Sequence, residues 1–332
     1  MSMLLTMALL LGTLTAIFGL VLWYNGARIG TVGGIIAIVG FSAIIAGLQW
    51  FIAPWMIKYF TRMREIGKEE PEYKWIHTMV EKICAKAGVP KPRVYLVQDG
   101  TPNAFAFGRT PSSSNIAIHT GLLSLLNKEE VEGVVAHEIG HIKHWDVAVI
   151  TMASMVPLIV YYAIIFFFAR QNRDNNGGFG SVIAIWIGAI IAQMLSSLIV
   201  MQLSRTRESY ADAFSAVVTG KPAALRTGLA KITYGFSPQT NSKAYQGMRA
   251  FYIADPINST DLAKELEQSS EKKEKEGPAK FSPREIDHAI EWEKNRGWMQ
   301  WFSTHPYTYK RIEALNELEA EMKAGKVGLE AV

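Results

Sequence analysis

Cysteine is nearly absent from this sequence, because Cys84 is the single one among 332 residues. A lone cysteine excludes an intramolecular disulfide framework of the kind that holds small secreted domains together. The absence favours a soluble part that faces a reducing compartment, the cytosol.

Charged residues are also scarce, at 19% of the chain against 49% hydrophobic residues. The scarcity is concentrated in four long segments that contain almost no charge. Each has the roughly 20 apolar residues needed to cross a ~30 Å hydrocarbon core, and buried helices of soluble cores rarely run so long without a charge. We therefore predict four membrane spans: Met3–Tyr24, Ile29–Trp55, Val147–Ala169 and Val182–Leu203.

Other function classes lose support through what is missing. No stripe of basic residues alternates with aromatic residues, so nucleic-acid binding has little support. The predicted spans hold almost no ionisable residue that could mark an ion path, which disfavours a transporter.

The first apolar segment lacks the basic start of a signal peptide, and the second follows after only "NGAR", which favours a helical hairpin.

Basic residues are more frequent on one side of the predicted spans, which is the cytoplasmic side by the positive-inside rule. They are Lys58, Arg62, Arg64, Lys68, Lys143, Arg205 and Arg207. Both termini and the soluble parts are then cytoplasmic. The predicted division is a hairpin of two spans at 1–55, a soluble part at 56–146, a second hairpin at 147–203, and a second soluble part at 204–332 with a solvated, charged loop at 265–278.

The soluble parts are predicted to be mostly helical with a small sheet. The stretch "PRVYLVQDGTPNAFAFGRTPSSSNIAIHTG" has the pattern of short strands separated by Pro, Gly and Ser. The fold class is therefore an α-helical membrane protein with four transmembrane helices and an α+β soluble domain.

The segment "NKEEVEGVVAHEIGHIKHWD" predicts a helix that is capped by Asn127, with Glu130 reaching back to the cap. His137 and His141 stand four residues apart on one face, so both imidazoles can bind one metal ion. Glu138 follows the first histidine and can reach a metal-bound water. This is the H-E-x-x-H pattern, whose chance occurrence with so few histidines is on the order of one in a hundred.

A catalytic zinc site takes three protein ligands and one open position, so a third ligand is required. His144 shares the helix face, but it lies about 10.5 Å along the axis from His137, which favours a supporting or surface role at the membrane boundary. Glu208, in "RESYADAFSA", follows the next span at a similar height above the membrane. We predict Glu208 as the third ligand and Asp212 as the acceptor of a hydrogen bond from a ligand histidine.

Several motifs together resemble the HtpX family of integral-membrane zinc metalloproteases and its gluzincin-type relatives, the CAAX prenyl endopeptidases. They are "HEIGH" ahead of a span, "RESYADAFSA" after the next, "TPNAFAFG" before the helix and "STHPYTYKRIEAL" near the end. The resemblance implies a zincin-like domain with one Zn²⁺ per chain on His137, His141 and Glu208. It also implies Glu138 as the catalytic base.

The resemblance implies further site residues. His305, with Arg311 behind it, resembles the element that steadies the oxyanion in such families. The segment "NAFAFG" resembles the edge where a substrate peptide docks as an added strand. Its substrate-binding residues would be Asn103, Ala104, Phe105 and Ala106. Two features depart from the family: His144 replaces a small polar residue, and the charged loop at 265–278 has no obvious catalytic use.

The expected function is a zinc endopeptidase of the cell (plasma or inner) membrane that cleaves membrane or misfolded proteins near the cytoplasmic face, in protein quality control. Its expected partners are such polypeptides and the lipid bilayer, not nucleic acid, and its oligomeric state stays open. One alternative is a dedicated processing protease for a lipidated or signal-type substrate. Another is a non-catalytic scaffold whose zinc has four protein ligands, with His144 or Asp212 completing the set.

Overall fold

The structure of the protein, a computed structural model, describes residues 32–154, 156–157, 160–161, 164–165, 179–234, 294 and 306–327. In these ranges the chain is mostly helical, with one small mixed sheet. The predicted first span at Met3–Tyr24, the charged loop at 265–278 and His305 lie outside the described residues.

Eight helices and four strands are considered below. In chain order they are α1 (Val32–Thr61), β1 (Arg64–Glu65), α2 (Lys74–Ala87), β2 (Arg93–Val97), β3 (Ala104–Phe107), β4 (Asn115–His119), α3 (Thr120–Leu125), α4 (Lys128–Lys143), α5 (Asp146–Ala153), α6 (Phe179–Thr219), α7 (Pro222–Tyr234) and α8 (Thr308–Lys323). Strands β2, β3 and β4 lie in the stretch where short strands are predicted. The two-residue β1 was not predicted, because it is too short to show an alternating pattern.

The sheet has the order β1-β2-β4-β3, with β2 and β4 parallel and both outer pairs antiparallel. Its alternating side chains supply two cores, as expected of a strand period of two. One face contributes Val94, Leu96, Ala104, Ile116 and Ile118 to the main helical core. The other face carries Tyr95, Val97, Phe105, Phe107 and Ala117, which pack against Ile57 near the end of α1 and Met63 just after it. Strand β3 is left at the edge of the sheet.

Helix α4 begins with the predicted capping box. The Asn127 side chain accepts the backbone N–H of Glu130 at 2.9 Å, and the Glu130 carboxylate accepts the backbone N–H of Asn127 at 2.9 Å. These two bonds confirm the sequence-based start of the helix. From this start α4 runs through the main core, where it packs on α2, α6, α7 and β3.

Two glycines allow neighbouring helices to approach α4 closely. A Cβ atom on Gly133 would lie 2.9 Å from the backbone nitrogen of Leu225 in α7. A Cβ atom on Gly140 would lie 3.0 Å from Cδ1 of Phe214 and 3.2 Å from Cα of Ala211, both in α6. The glycine inside "HEIGH" is therefore part of the contact that brings α6 against the histidine-bearing helix.

Helix α6 is 41 residues long and has two different halves. The first half exposes apolar side chains such as Ile187, Leu195 and Ile199, the last at 73% exposure, whereas Phe214 and Val218 in the second half are buried. Among the described residues, Ile183–Thr219 is the one helix with the length and apolar composition to cross a membrane. The predicted fourth span lies within α6, and the arrangement of four spans stays a prediction.

Helix α1 connects an exposed apolar surface to the sheet. Phe51, Trp55 and Tyr59 are exposed along it, and Trp55 stacks on Tyr59 with ring centroids 5.7 Å apart. At its last turn Lys58 donates to the Tyr95 hydroxyl of β2 at 2.7 Å. The helix continues six residues beyond the predicted end of the second span at Trp55.

Candidate metal centre

Three side chains from α4 and α6 meet in the main core. His137 Nε2 lies 3.1 Å from His141 Nε2. The two oxygens of Glu208 lie 3.5 Å from these nitrogens, one oxygen to each ring. Helix α4 places the two histidines one turn apart on one face, and the close approach of α6 at Gly140 brings Glu208 to them.

The hydrogen bonds of the rings decide which atoms can bind a metal. His137 Nδ1 lies 2.9 Å from Asp212 Oδ1, and His141 Nδ1 lies 2.6 Å from Asp146 Oδ2. An ionised carboxylate only accepts hydrogen bonds, so each Nδ1 carries the hydrogen and each neutral ring presents a lone pair at Nε2. Two nitrogen lone pairs and two carboxylate oxygens therefore face one another, and a cation between them relieves the repulsion.

The spacing of these acceptors fits zinc. A tetrahedral zinc ion with bonds of 2.0–2.1 Å to N and O separates its ligand atoms by about 3.3–3.4 Å. The observed separations of 3.1 and 3.5 Å fall on either side of that value. An Arg311 guanidinium nitrogen lies 3.4 Å from one Glu208 oxygen, but the two Nε2 atoms still face each other. His137, His141 and Glu208 could therefore hold a zinc ion.

Glu138 lies close to the same point but has a different partner. Among the described residues, the ligand atoms of His137, Glu138 and His141 come within 4.8 Å of one another. One Glu138 oxygen, Oε2, accepts the backbone N–H of Ala106 in β3 at 2.7 Å. Burial raises the pKa of this carboxyl, and the two histidines and the Ala106 N–H oppose the rise. A raised pKa makes Glu138 a stronger base than a surface glutamate.

The two candidate ligand histidines have opposite electrostatic surroundings. Burial lowers the pKa of His137, but the Asp212 and Glu208 carboxylates outweigh it and raise the pKa to about 9. Burial and the neighbouring His137 lower the pKa of His141. Without a metal ion, these carboxylates favour a proton on His137 Nε2, at the position between the two rings where the metal would bind.

Arg311, from α8, binds the acidic side of the centre. Its Nε and Nη2 donate to the two Asp212 oxygens at 2.8 and 2.7 Å, a two-pronged ion pair. The guanidinium is buried, and although burial lowers its pKa, the Asp212 and Glu208 charges raise the pKa above its usual value. The predicted site residues Asp212 and Arg311 are thus brought together behind His137. His305 lies outside the described residues.

Sequence reasoning missed Asp146 and Arg207. Asp146 begins α5 and accepts from His141, because Trp145 adopts a left-handed conformation, with φ at 59°, that turns the chain back. Arg207 binds the other Asp146 oxygen and the carbonyl oxygen of His144. The sequence did contain a signal, because Asp146 follows the candidate ligand His141 by five residues. On a straight helix that spacing does not share a face, so only the break at Trp145 brings the two together.

The His144 ring lies against aromatic residues of α6. Its centroid is 6.2 Å from that of Tyr210 and 6.0 Å from that of Phe214. Its backbone N–H ends α4 by donating to the Gly140 carbonyl at 3.0 Å. His144 therefore packs between α4 and α6.

The predicted substrate-binding segment forms the sheet edge beside Glu138. The side chains of Asn103, Ala104 and Phe105 are buried. What the edge presents is backbone, since the Ala106 N–H points away from β4 and towards α4. Next to it, a narrow groove runs between the β3–β4 connection and the turn from α4 to α5. Phe107, Ile142 and Val147 give the groove apolar walls beside His141.

Comparisons with known proteins point to one family. Residues 70–319 match the model of peptidase family M48. The chain is 37% identical over 248 residues to a "Protease HtpX homolog" of Methanothermobacter thermautotrophicus, covering 74% of this chain and 90% of the relative. It is 31% identical over 324 residues to a "Protease HtpX homolog" of Pyrococcus furiosus, covering 96% and 95%.

A solved structure supports the fold. The crystal structure of Ste24p from S. mikatae matches 94% of this chain with a TM-score of 0.55 at 16% identity. The chain spans 64% of the length of that protein, and the likeness at this identity concerns the fold. M48 peptidases are zinc-dependent. Because the family model covers more than half of the sequence, the chain belongs to peptidase family M48 and is a metalloprotease.

Proposed function

We propose that the protein is a zinc endopeptidase that cleaves membrane or misfolded proteins, with His137, His141 and Glu208 as ligands and Glu138 as the general base. The observation that carries the proposal is the meeting of two imidazole lone pairs with both oxygens of one carboxylate, at 3.1 and 3.5 Å. Glu138 adjoins this point without being needed as a ligand. Such a centre, with three protein ligands and one open position, is the catalytic kind.

Zinc, when bound, would act as a Lewis acid and lower the pKa of a water molecule towards ~7. Glu138 and Ala106 control the transfer of the proton from this water molecule. Ala106 holds Glu138 Oε2 by its N–H, which fixes the carboxylate and leaves Oε1 to take a proton from water. The oxygen that loses this proton attacks the peptide carbonyl carbon, and Glu138 gives the proton to the peptide nitrogen as the C–N bond breaks. Its raised pKa suits both steps, because the base should titrate close to the working pH.

Strand β3 would bind the substrate. A peptide in extended form can add to the backbone groups of Asn103–Ala106 that remain open beside the Ala106 N–H, which Glu138 accepts, and lie across the histidine pair. Main-chain hydrogen bonds would give the affinity. The groove beside His141 adjoins this edge and is narrow, so it would have to widen to accept a substrate side chain. This mode selects segments that are unfolded or easily extended, which supports loops, tails and misfolded chains as substrates.

Helix α6 supports a site close to the membrane. Nine residues separate the exposed Ile199 from Glu208, about 13.5 Å along the helix axis. Glu208 would therefore lie just outside the hydrocarbon core, on the side rich in basic residues. We propose the cytoplasmic side of the cell membrane, four spans, and soluble parts at 56–146 and 204–332. The lipid bilayer and polypeptide substrates are its proposed partners, and quality control its proposed role.

The first test is Glu138→Gln in the full-length chain, reconstituted in proteoliposomes with an unfolded membrane-protein reporter. We expect zinc content to be kept and cleavage to fall by about 10²–10⁴-fold, since the general base is lost. Glu129→Gln is the matched control: Glu129 lies on the same helix, is exposed and pairs with Lys221, and its variant should cleave normally. Full turnover by zinc-loaded Glu138→Gln would remove the proposed base.

The substrate class needs its own measurement. The wild-type protein is given the unfolded reporter and, separately, a lipidated peptide, each with and without a chelator. Cleavage of the reporter at several sites that are flanked by apolar residues supports quality control. Cleavage of the lipidated peptide alone would favour a dedicated processing protease. A zinc-loaded protein that cleaves neither would favour a scaffold.

A further inference from the structure

Each candidate ligand histidine is backed by its own carboxylate, and each carboxylate by its own arginine. One series of contacts is His137–Asp212–Arg311, and the other is His141–Asp146–Arg207. We propose that Arg207 is a positioning residue of the metal centre, which fixes the His141 ring through Asp146. The inference rests on the proposed zinc site and adds two residues to it.

The contacts of Asp146 leave it little freedom. Its carboxylate is buried at 6% exposure, and each oxygen has a separate partner. Oδ2 accepts from His141 Nδ1 at 2.6 Å, and Oδ1 accepts from Arg207 Nη2. With both oxygens bound, the carboxylate plane is fixed, and so is the direction in which His141 presents Nε2 to the metal.

Arg207 also holds the turn that carries Asp146. The same Nη2 donates to the carbonyl oxygen of His144, the residue that ends α4. The next residue, Trp145, is left-handed, a conformation that residues with a Cβ atom rarely adopt. One guanidinium nitrogen therefore bridges the end of α4 and the start of α5. Without it, the turn and the Asp146 carboxylate would both lose a partner from α6.

The position of Arg207 next to Glu208 gives this arrangement a consequence. Both residues lie on α6, so a rigid shift of that helix moves the third ligand and the support of the second ligand together. A slip of one residue would displace both by about 1.5 Å along the axis. All three ligands thus depend on how one long helix is seated, because Asp212, the partner of His137, also lies on α6. Arg311 from α8 additionally holds the Asp212 carboxylate.

The experiment measures metal binding by the full-length protein in detergent. Arg207→Ala, Arg207→Lys and the control Lys221→Ala are compared by zinc competition with a chelator and by the visible spectrum of the Co²⁺-loaded protein. Lys221 is a suitable control, because it also links the end region of α6 to α4, through Glu129 and Glu132, away from the centre.

We expect Arg207→Ala to weaken zinc binding by about 10–100-fold and to alter the cobalt spectrum, as loss of an outer partner of a ligand does. Arg207→Lys should recover most of the affinity, since lysine restores the charge and a donor. Lys221→Ala should match the wild type. Wild-type zinc affinity together with an unchanged cobalt spectrum in Arg207→Ala would overturn the proposal.

A second variant covers the case in which Arg207→Ala fails to fold. Asp146→Asn keeps the side-chain volume but removes the charge that Arg207 binds. It should weaken zinc binding to a similar degree, and the double variant should lose little more, because both changes break one chain of contacts. Fully additive losses would contradict the coupling. These readouts do not need cleavage, so a wild type that binds zinc without hydrolysing peptides would overturn the proposed function alone.

Discussion

Helices α4 and α6 both bring donors to the candidate centre, but they are held in place differently. Helix α4 is buried by other helices and β3, and His137, Glu138 and Ile139 are all nearly inaccessible. Helix α6 has an exposed apolar half and a buried half that carries Glu208 and Asp212. Core packing thus fixes α4, whereas the position of α6 is also set by whatever surrounds its apolar half.

The contact between these helices decides whether the donors meet. Gly140 lets α6 approach at Phe214 and Ala211, and the Ser215 hydroxyl donates to the Gly133 carbonyl at 2.7 Å. A separation of the helices would leave His137 and His141 together on α4 and remove Glu208. The comparison therefore predicts that changes on α6, or at its contact with α4, impair metal binding although both histidines lie on α4.

Glu208→Ala should have the largest effect of the changes at this contact. Structural zinc sites with four protein ligands bind the ion with about 10–16 kcal/mol, roughly 3 kcal/mol per ligand. Loss of one ligand should therefore lower the zinc affinity on the order of a hundredfold. Zinc content after dialysis and chelator competition measure the change. Glu317→Ala, an exposed glutamate of α8, is the control and should retain zinc. Undiminished zinc affinity in Glu208→Ala would show that α6 supplies no ligand.

The pH dependence of the metal-free protein tests the electrostatic contact between the helices. The pKa of His137 is raised to about 9 in the folded protein, above the usual 6.5, by Asp212 and Glu208 against the opposing effect of burial. The folded state therefore binds the proton more tightly. The resulting stability is fully present below about pH 6.5 and is lost as the pH rises through about 9.

In this window the contribution falls by at most about 1.4 kcal/mol per pH unit. Thermal unfolding of chelator-treated protein between pH 6.5 and 9 should show the midpoint decreasing. Asp212→Asn removes the carboxylate that accepts from His137 Nδ1, so the unfolding midpoint of this variant should depend less on pH. A midpoint that rises over this range in the wild type would contradict the raised pKa.

Gly140→Ala should have the smallest effect of the three and should act on packing alone. Its Cβ would meet Phe214 and Ala211 at 3.0–3.2 Å, and such overpacking costs about 1–3 kcal/mol, part of it offset by the better helix propensity of alanine. We expect a net loss of roughly 1 kcal/mol in the free energy of unfolding, measured with denaturant.

Gly228→Ala on α7 provides the matched control for this packing change. There the added Cβ would meet its neighbours at ordinary contact distances of 3.6 Å. Helix propensity should then dominate, with a gain of up to about 1 kcal/mol. If both alanine variants were equally stabilising, the α4–α6 contact would not be tight at Gly140.

Several parts of the fold could be predicted from short-range patterns. The capping box at Asn127 and the strands between residues 92 and 121 follow from residue types and spacings of two to four. The two-residue β1 could not be predicted, because it is too short to show an alternating pattern. The family and the metalloprotease activity were predicted from the combination of motifs.

The supporting residues of the centre were harder to predict. Asp146 depends on the left-handed Trp145, and nothing in the sequence requires that turn there. Arg207 had been counted only as a basic residue beside the membrane. The resemblance places Arg311 behind His305, and the structure adds that Arg311 pairs with Asp212. The hydrogen-bond partner of each of these residues depends on where its side chain points in the folded protein, which the sequence does not show.

The sequence by itself determined the features that repeat along one helix: two imidazoles four residues apart on α4 and an apolar run long enough to cross lipid on α6. These depend on a rise of about 1.5 Å and 3.6 residues per turn, which every helix shares. Only the tertiary structure decided that Glu208 faces both rings and that each histidine has a separate Asp–Arg pair. Those contacts join residues up to 99 positions apart, and the close packing of α4, α6 and α8 sets their geometry.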